Sequence, residues 1–270
     1  MTARFCRKQK RGGRLVLVPM MGALHEGHLT LIRRARALAG ARGLVAVSIF
    51  VNPTQFGPKE DFSKYPRPFA RDAALCRKAG VDLIFNPAPE QMYPEGYSTY
   101  VEEGALGGVL CGRSRPGHFR GVCTVVCKLF NIIAPDVAVF GKKDFQQLAI
   151  IKRMARDLDL PVKIHGVETV REPDGLALSS RNQYLSAEER GRAPVIRRAL
   201  LAAAKNIRTA QKTATAMIAP VPGAWIDYIE VLDAETLQPI GSKSRTAVIA
   251  AAVFLGKTRL IDNITVSLRK

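Results

Sequence analysis

A chain of 270 residues with 47% hydrophobic and 24% charged side chains is long enough for one large or two unequal globular domains, each with its own core. No run approaches the roughly 20 apolar residues that cross a membrane. The five cysteines are odd in number and scattered, so they indicate neither a disulfide framework nor a metal site and fit a reducing compartment. The net charge of +18 favours acidic ligands without bearing on fold. Because the basic residues are spread along the chain with no Arg/Lys tract interleaved with aromatics, a solvated basic surface is the plainer reading and a nucleic-acid interface the lesser one. The start is basic and free of acids (Arg4, Arg7, Lys8, Lys10, Arg11, Arg14), like a transit peptide, but an apolar strand follows almost at once. A cytoplasmic protein is expected.

The apolar run at 15–18 predicts a first strand, and helical periodicity follows over 29–38, with the helix expected to begin near Gly27. The connecting run Val18-Pro-Met-Met-Gly-Ala-Leu-His-Glu-Gly-His-Leu carries His25 and His28. A strand-to-helix junction offers backbone N–H groups and the positive end of the helix dipole to an anion. Gly22 and Gly27 permit close approach, and imidazoles three residues apart can face one pocket. Charge stabilisation in phosphoryl or nucleotidyl transfer is the chemistry suggested. A helix cap or a core histidine is the plain alternative, and zinc lacks a third ligand at suitable spacing.

A second strand is expected over 44–51, then Asn52-Pro-Thr-Gln-Phe, whose Asn52 and Gln55 amides suit a hydroxylated, carboxylated small molecule, or form an Asn-Pro turn with a solvated glutamine. A helix over 69–79 and a strand over 81–86 follow. Arg113-Ser-Arg-Pro-Gly-His-Phe-Arg-Gly is a dense cationic loop, read as phosphate-binding through Arg113, Arg115, His118 and Arg120 or as a solvated basic loop. It leads into a helix over 122–133 with an apolar stripe of Val122, Val125, Val126, Leu129, Phe130 and Ile133. After a strand at 137–140 comes Gly141-Lys-Lys-Asp-Phe-Gln-Gln. Here Lys143 can hold a phosphate, Asp144 can accept ribose hydroxyls or cap the helix over 146–158, and Gln147 lies one turn on.

A strand over 162–170 precedes Asp174-Gly-Leu-Ala-Leu-Ser-Ser-Arg-Asn, read as a mobile clamp for a triphosphate or as a polar linker. Beyond it, Ser186-Ala-Glu-Glu has capping-box form and opens a helix to about Ala204. Residues 205–223 read as frayed helix plus loop, and 225–232 and 246–254 as strands. Short buried strands alternating with helices imply a parallel sheet with right-handed crossovers, and the polar clusters all follow strands, where such sheets bind ligands. The expected fold is α/β: a Rossmann-like parallel-sheet catalytic domain over 1–176 and a smaller α+β lid domain over 177–270.

The blocks P-x-M-G-A-L-H-E-G-H, S-I-F-V-N-P-x-Q-F, R-P-G-H-F-R-G-V, F-G-x-K-D-x-Q-Q-L and D-G-L-A-x-S-S-R-N-x-Y-L together closely resemble the pantothenate synthetase (pantoate–β-alanine ligase) family, within the HxGH/KMSKS-type nucleotidylyltransferase group. The resemblance runs through Gly256-Lys-Thr-Arg-Leu-Ile-Asp-Asn and covers nearly the whole chain. It implies that pantoate attacks the α-phosphate of ATP to give pantoyl adenylate and pyrophosphate. The β-alanine amine then displaces AMP. By the same resemblance His28 is the proton donor and His25, Lys143 and Arg181 complete the catalytic set. ATP is bordered by Met21, Gly22, Ala23, Leu24, His25, Glu26, Gly27 and His28, by Gly141, Lys142, Lys143 and Asp144, and by Val170, Leu178, Ser179, Ser180 and Arg181. Gln55 and Gln147 hold pantoate, Gln55 also meets β-alanine, and Asp72 helps place Mg²⁺. A homodimer is implied. Three positions depart from the family's pattern: Met20 replaces a small hydroxyl residue, Lys142 a glutamate and Leu178 a methionine. Another adenylyltransferase of the group, or a nucleic-acid-binding relative exploiting the charge, remain the alternatives.

Overall fold

The computed structural model describes residues 12–57, 62–63 and 65–268; Cys6 and the basic lead-in through Arg11 lie outside them. The chain divides into two compact units. The first comprises residues up to Gly107, Arg115–Lys142 and Gln147–Glu168; the second comprises Gly108–Ser114, Lys143–Gln146 and the chain from Thr169 onward.

The first unit is built on a five-stranded parallel sheet of order β3-β2-β1-β4-β5, with β1 at Leu15–Met20, β2 at Leu44–Ile49, β3 at Leu83–Phe85, β4 at Val137–Gly141 and β5 at Lys163–Val167. β1 and β2 read Leu-Val-Leu-Val-Pro-Met and Leu-Val-Ala-Val-Ser-Ile and are buried almost throughout, as strands covered on both faces must be. The helices are α1 at Glu26–Ala39, α2 at Phe69–Lys78, α3 at Pro89–Met92, α4 at Cys111–Ser114 (in the second unit), α5 at His118–Ile133 and α6 at Phe145–Asp157, of which the first unit takes Gln147 onward. Ile32 and Ala35 of α1 pack with Val16, Val18, Val45, Val47 and Val139 of the sheet. Strand order reverses at β1, which lies between β2 and β4. Loops after β1 and β4 therefore leave the sheet on either side of a switch point, where open α/β sheets accommodate ligands. β3 is shorter than expected because this edge strand pairs only with Ala46, Val47 and Ser48 of β2. β5 ends at Val167, and Val170 belongs to a separate hairpin.

The second unit holds an antiparallel sheet in which β7 (Thr246–Leu255) lies between β6 (Ala224–Asp233) and β8 (Thr258–Ser267). Its helices are α7 at Ala187–Arg192, α8 at Val195–Ala203 and α9 at Ala210–Ile218. Ile196, Ala199 and Leu200 of α8 and Ala214 and Ile218 of α9 pack with Ile249, Ala251 and Val253 of β7. Three sequence expectations need correction here. The helix expected to run from Ser186 to Ala204 is two helices, because Pro194 has no N–H to donate within a continuous helix. Residues 210–218, expected to be frayed, form a regular helix once Ala210, Ala214 and Ile218 are buried. The third strand, β8, goes beyond the two strands expected. Its signal is the Gly256-Lys257 pair after an apolar strand, and Gly256 adopts the positive φ of +56° that a tight hairpin requires.

Candidate active site

The loop between β1 and α1 is held by its own side chains. His25 is the N-cap of α1, and its Nδ1 accepts the N–H of Gly27 at 3.1 Å. His28 reaches back so that its Nδ1 accepts the N–H of His25 at 3.2 Å, completing a reciprocal capping box made of two imidazoles. The rings lie 4.0 Å apart, tilted by 35°. The plain alternative, a helix cap, is thus realised, and it has a chemical consequence. A nitrogen that accepts a backbone N–H carries no proton, so in each neutral ring the proton is on Nε2. Capping and hydrogen-bond donation to a phosphate are compatible roles of opposite edges of one ring.

Before the cap, Gly22 and Ala23 take φ of +113° and +52°. The left-handed region costs a non-glycine residue about 1–2 kcal/mol, and Asp72 of α2 supplies a compensation. Its two carboxylate oxygens accept the consecutive N–H groups of Ala23 at 2.8 Å and Leu24 at 2.9 Å, and the side chain is completely buried. The expectation that this junction presents unsatisfied amides to a phosphate therefore needs correction. The amides of Ala23, Leu24, His25 and Gly27 donate to side chains, and that of His28 donates to the carbonyl of His25 at 2.9 Å. The Mg²⁺ role that the resemblance implies for Asp72 does not suit its surroundings, because the carboxylate is buried and both oxygens accept loop amides, whereas Mg²⁺ keeps several waters. Among the described residues no group of three or more His, Cys, Asp or Glu could hold a metal ion.

After β2, residues Pro53–Gln55 form a 3₁₀ turn. Asn52 is buried and structural: its Nδ2 donates to Gln55 Oε1 at 2.9 Å and to the carbonyl of Gly121 at 3.1 Å, while its Oδ1 accepts the Tyr93 hydroxyl at 2.7 Å. This orients the Gln55 amide, committing Oε1 as acceptor and presenting Nε2 as a donor. Gly121 is required by proximity, since a Cβ there would lie 2.2 Å from the Thr54 carbonyl oxygen. His118 and Arg115, expected on phosphate, brace the same turn. The carbonyl of Gln55 accepts from His118 Nδ1 at 2.8 Å and from Arg115 Nη2 at 3.3 Å. His118 Nε2 consequently accepts from Arg115 Nη1 at 3.1 Å. Arg120 lies 3.9 Å over the Tyr100 ring, and in the second unit Arg113 pairs with Glu230. The cations of this loop are thus drawn into protein contacts, partners the sequence alone did not reveal.

At the end of β4, Lys142 forms an ion pair with Glu168, so the charge reversal at this position has a local counter-charge. Met20 packs into the hydrophobic core beside β1 and β2. Of two adjacent glutamines, Gln147 in the first turn of α6 is partly exposed. In the second unit Gln146 is buried, accepting the N–H of Cys111 at 3.0 Å and donating to the carbonyl of Val109 at 2.6 Å. There too the Lys143 carbonyl accepts from Asn263 Nδ2 at 2.9 Å.

Also in the second unit, residues 170–178 form a small hairpin rather than a loose linker. Leu178 N–H donates to the carbonyl of Val170 at 3.0 Å, and Arg171 bridges to Ala177. Arg171 makes two parallel bonds to Asp262, at 2.7 and 2.9 Å, and donates to the carbonyl of Gly175. Asn182 donates to Glu172 and to the carbonyl of Ala177. Ser179 caps the 3₁₀ turn Ser180–Tyr184, its Oγ accepting the N–H of Arg181 at 3.2 Å. The hydroxyls of Ser179 and Ser180 and the Arg181 guanidinium therefore stand on a braced support.

The family profile described as pantoate-beta-alanine ligase matches residues 1–265. The pantothenate synthetase of Akkermansia muciniphila is 52% identical over 268 residues, covering 97% of this chain and 95% of its own. That of Syntrophotalea carbinolica is 53% identical over 269 residues, covering 97% and 94%. Among solved structures, pantothenate synthetase from Thermus thermophilus superposes with a TM-score of 0.90 at 46% identity, covering 97% of both chains. The pantoate-beta-alanine ligase of Francisella tularensis, complexed with beta-gamma ATP and beta-alanine, gives 0.79 at 34% identity, covering 97% of this chain and 95% of its own. With the histidine cap, the glutamine turn and the serine–arginine hairpin all in place along a chain matched almost end to end, the protein belongs to the pantoate–β-alanine ligase family.

Proposed function

We propose that this chain condenses pantoate with β-alanine at the expense of ATP through a pantoyl adenylate. A pantoate carboxylate oxygen attacks the α-phosphorus as its bond to the pyrophosphate oxygen breaks. The β-alanine amine then attacks the activated carbonyl, and AMP leaves with the electron pair of the acyl–oxygen bond. Such displacements need positioning and charge neutralisation more than covalent participation by the protein. The observation that carries the reading is the double imidazole cap, which fixes both rings as Nε2–H donors at the switch point of a parallel sheet.

In this reading His28 donates a hydrogen bond from Nε2–H to the departing pyrophosphate and keeps its proton, and His25, Lys143 and Arg181 offset phosphate charge. Met21 to Glu26, Gly27, Gly141, Lys142, Asp144, Val170, Leu178, Ser179 and Ser180 border the nucleotide. Gln55 offers Nε2 to pantoate and lies near β-alanine, with Gln147 as the second pantoate contact. Magnesium enters as part of the substrate, on the phosphate oxygens of ATP. A cytoplasmic homodimer is the proposed state of the enzyme. The chain contains no helix long and apolar enough to cross a membrane among its described residues.

Pantoate-dependent exchange of labelled pyrophosphate into ATP, without β-alanine, tests the first half-reaction. Exchange is expected in the wild type, with a loss of about 100-fold or more in His28→Ala. No pantoate dependence would overturn the assignment in favour of another adenylyltransferase.

A further inference from the structure

We propose that Asp72 is a positioning residue of the reaction, acting through the histidine loop and not through a metal ion. The inference rests on the function proposed above and extends it to a residue that touches no substrate. Consecutive N–H groups beside a left-handed residue form a concave nest that binds anions. In many nucleotide-binding loops the anion is a phosphate. Here the protein fills the nest itself, with the Asp72 carboxylate at 2.8 and 2.9 Å from the nitrogens of Ala23 and Leu24.

The fit is specific to this side chain. Asp72 lies in the first turn of α2, a helix remote from the loop in sequence, and no part of it is exposed. A Cβ on Gly22 would already lie 3.3 Å from Asp72 Oδ2, so the loop backbone is closed tightly over the carboxylate. Leu24, whose N–H meets Oδ1, has its side chain buried in the sheet core, and the next residue is the capping His25. The carboxylate thus fixes the direction from which the chain enters the cap, and through the cap the direction in which both imidazole Nε2 protons point. A phosphate bound here meets imidazole donors rather than the Ala23 and Leu24 amides.

Two measurements test this. In the wild type, without substrate, the Ala23 and Leu24 amide protons should exchange slowly with solvent and keep their NMR shifts when millimolar magnesium chloride is added. In Asp72→Asn, which retains one acceptor and turns a donor toward the second amide, these two amides should lose protection while the β1 and β2 amides keep theirs. The kcat of pantoate-dependent pyrophosphate exchange should fall about 100-fold, with the KM for pantoate and the magnesium activation midpoint unchanged. Rapid exchange of both amides in the wild type would overturn the proposal even if the variant did not fold. So would a magnesium midpoint shifted by about tenfold or more in the variant. Failure of the wild type to show pantoate-dependent exchange would instead count against the function, leaving the amide result to stand by itself.

Discussion

Single residues here act mainly by orienting other residues. Gly121 is the clearest case, because the amide turn after β2 sits against its backbone where any side chain would collide with the Thr54 carbonyl. Gly121→Ala should force α5 away from that turn, at a cost of about 1–3 kcal/mol in stability. It should lower kcat/KM for pantoate by about 100-fold through displacement of Gln55. Denaturant titration and steady-state kinetics check both, and a folded variant with unchanged pantoate kinetics would contradict the role given to the turn. The histidine pair was legible in the sequence because three-residue spacing at a helix start places both rings together. The duties of Asn52 and His118 were not, since the carbonyls they meet belong to Gly121 and Gln55, more than sixty positions away in each case.

At the level of elements, the hairpin at 170–178 depends on a pair drawn from β8. Asp262 is almost fully buried, and Arg171 meets both its oxygens. Removing the guanidinium in Arg171→Met takes away the ion-pair partner that meets both oxygens of a buried carboxylate, with an expected loss of about 3 kcal/mol. Because the same hairpin leads into Ser179–Arg181, the KM for ATP should rise while that for pantoate holds. Thermal melts and substrate titrations separate the two effects, and a simultaneous rise in both KM values would argue against a local role. Strands of the parallel sheet were readable because each is a short apolar run bounded by polar residues. Two of the misread elements were decided by a competing local signal, Pro194 dividing a capped helix and Gly256-Lys257 turning a strand back on itself, and the third, the helix over 210–218, by burial of Ala210, Ala214 and Ile218.

For the molecule as a whole, burial of weak acids predicts sensitivity to alkali. Desolvation pushes the Cys76 thiol from 9.0 up to about 11, with the Asp72 charge adding to it, and pushes Cys123 to about 12. The Tyr93 and Tyr228 hydroxyls are raised by burial as well. Well below pH 9 the thiols are protonated whether the chain is folded or not, so their contribution is constant. As pH rises toward 11 the unfolded chain releases these protons while the folded chain retains them, and stability falls. The guanidinium midpoint should therefore drop between about pH 8.5 and about pH 10.5, and Cys76→Ala should lessen the drop. An undiminished slope in that variant would show that the thiol is not its source.

By itself the sequence determined the alternation of strands and helices, the ends of β1, β2 and β4 on which polar clusters fall, and the family, whereas the Ser179–Arg181 cluster follows a hairpin and not β5. These follow from periodicity and from motifs whose residues are close in the chain. Tertiary structure alone decided which polar groups are taken up by protein partners. Asp72 is spent on the loop amides, Arg115 and His118 on the Gln55 carbonyl, and Lys142 on Glu168. A carboxylate or guanidinium looks the same in a sequence whether its partner is a phosphate or a backbone group far along the chain. Only folding brings that partner within the roughly 3 Å over which a hydrogen bond acts.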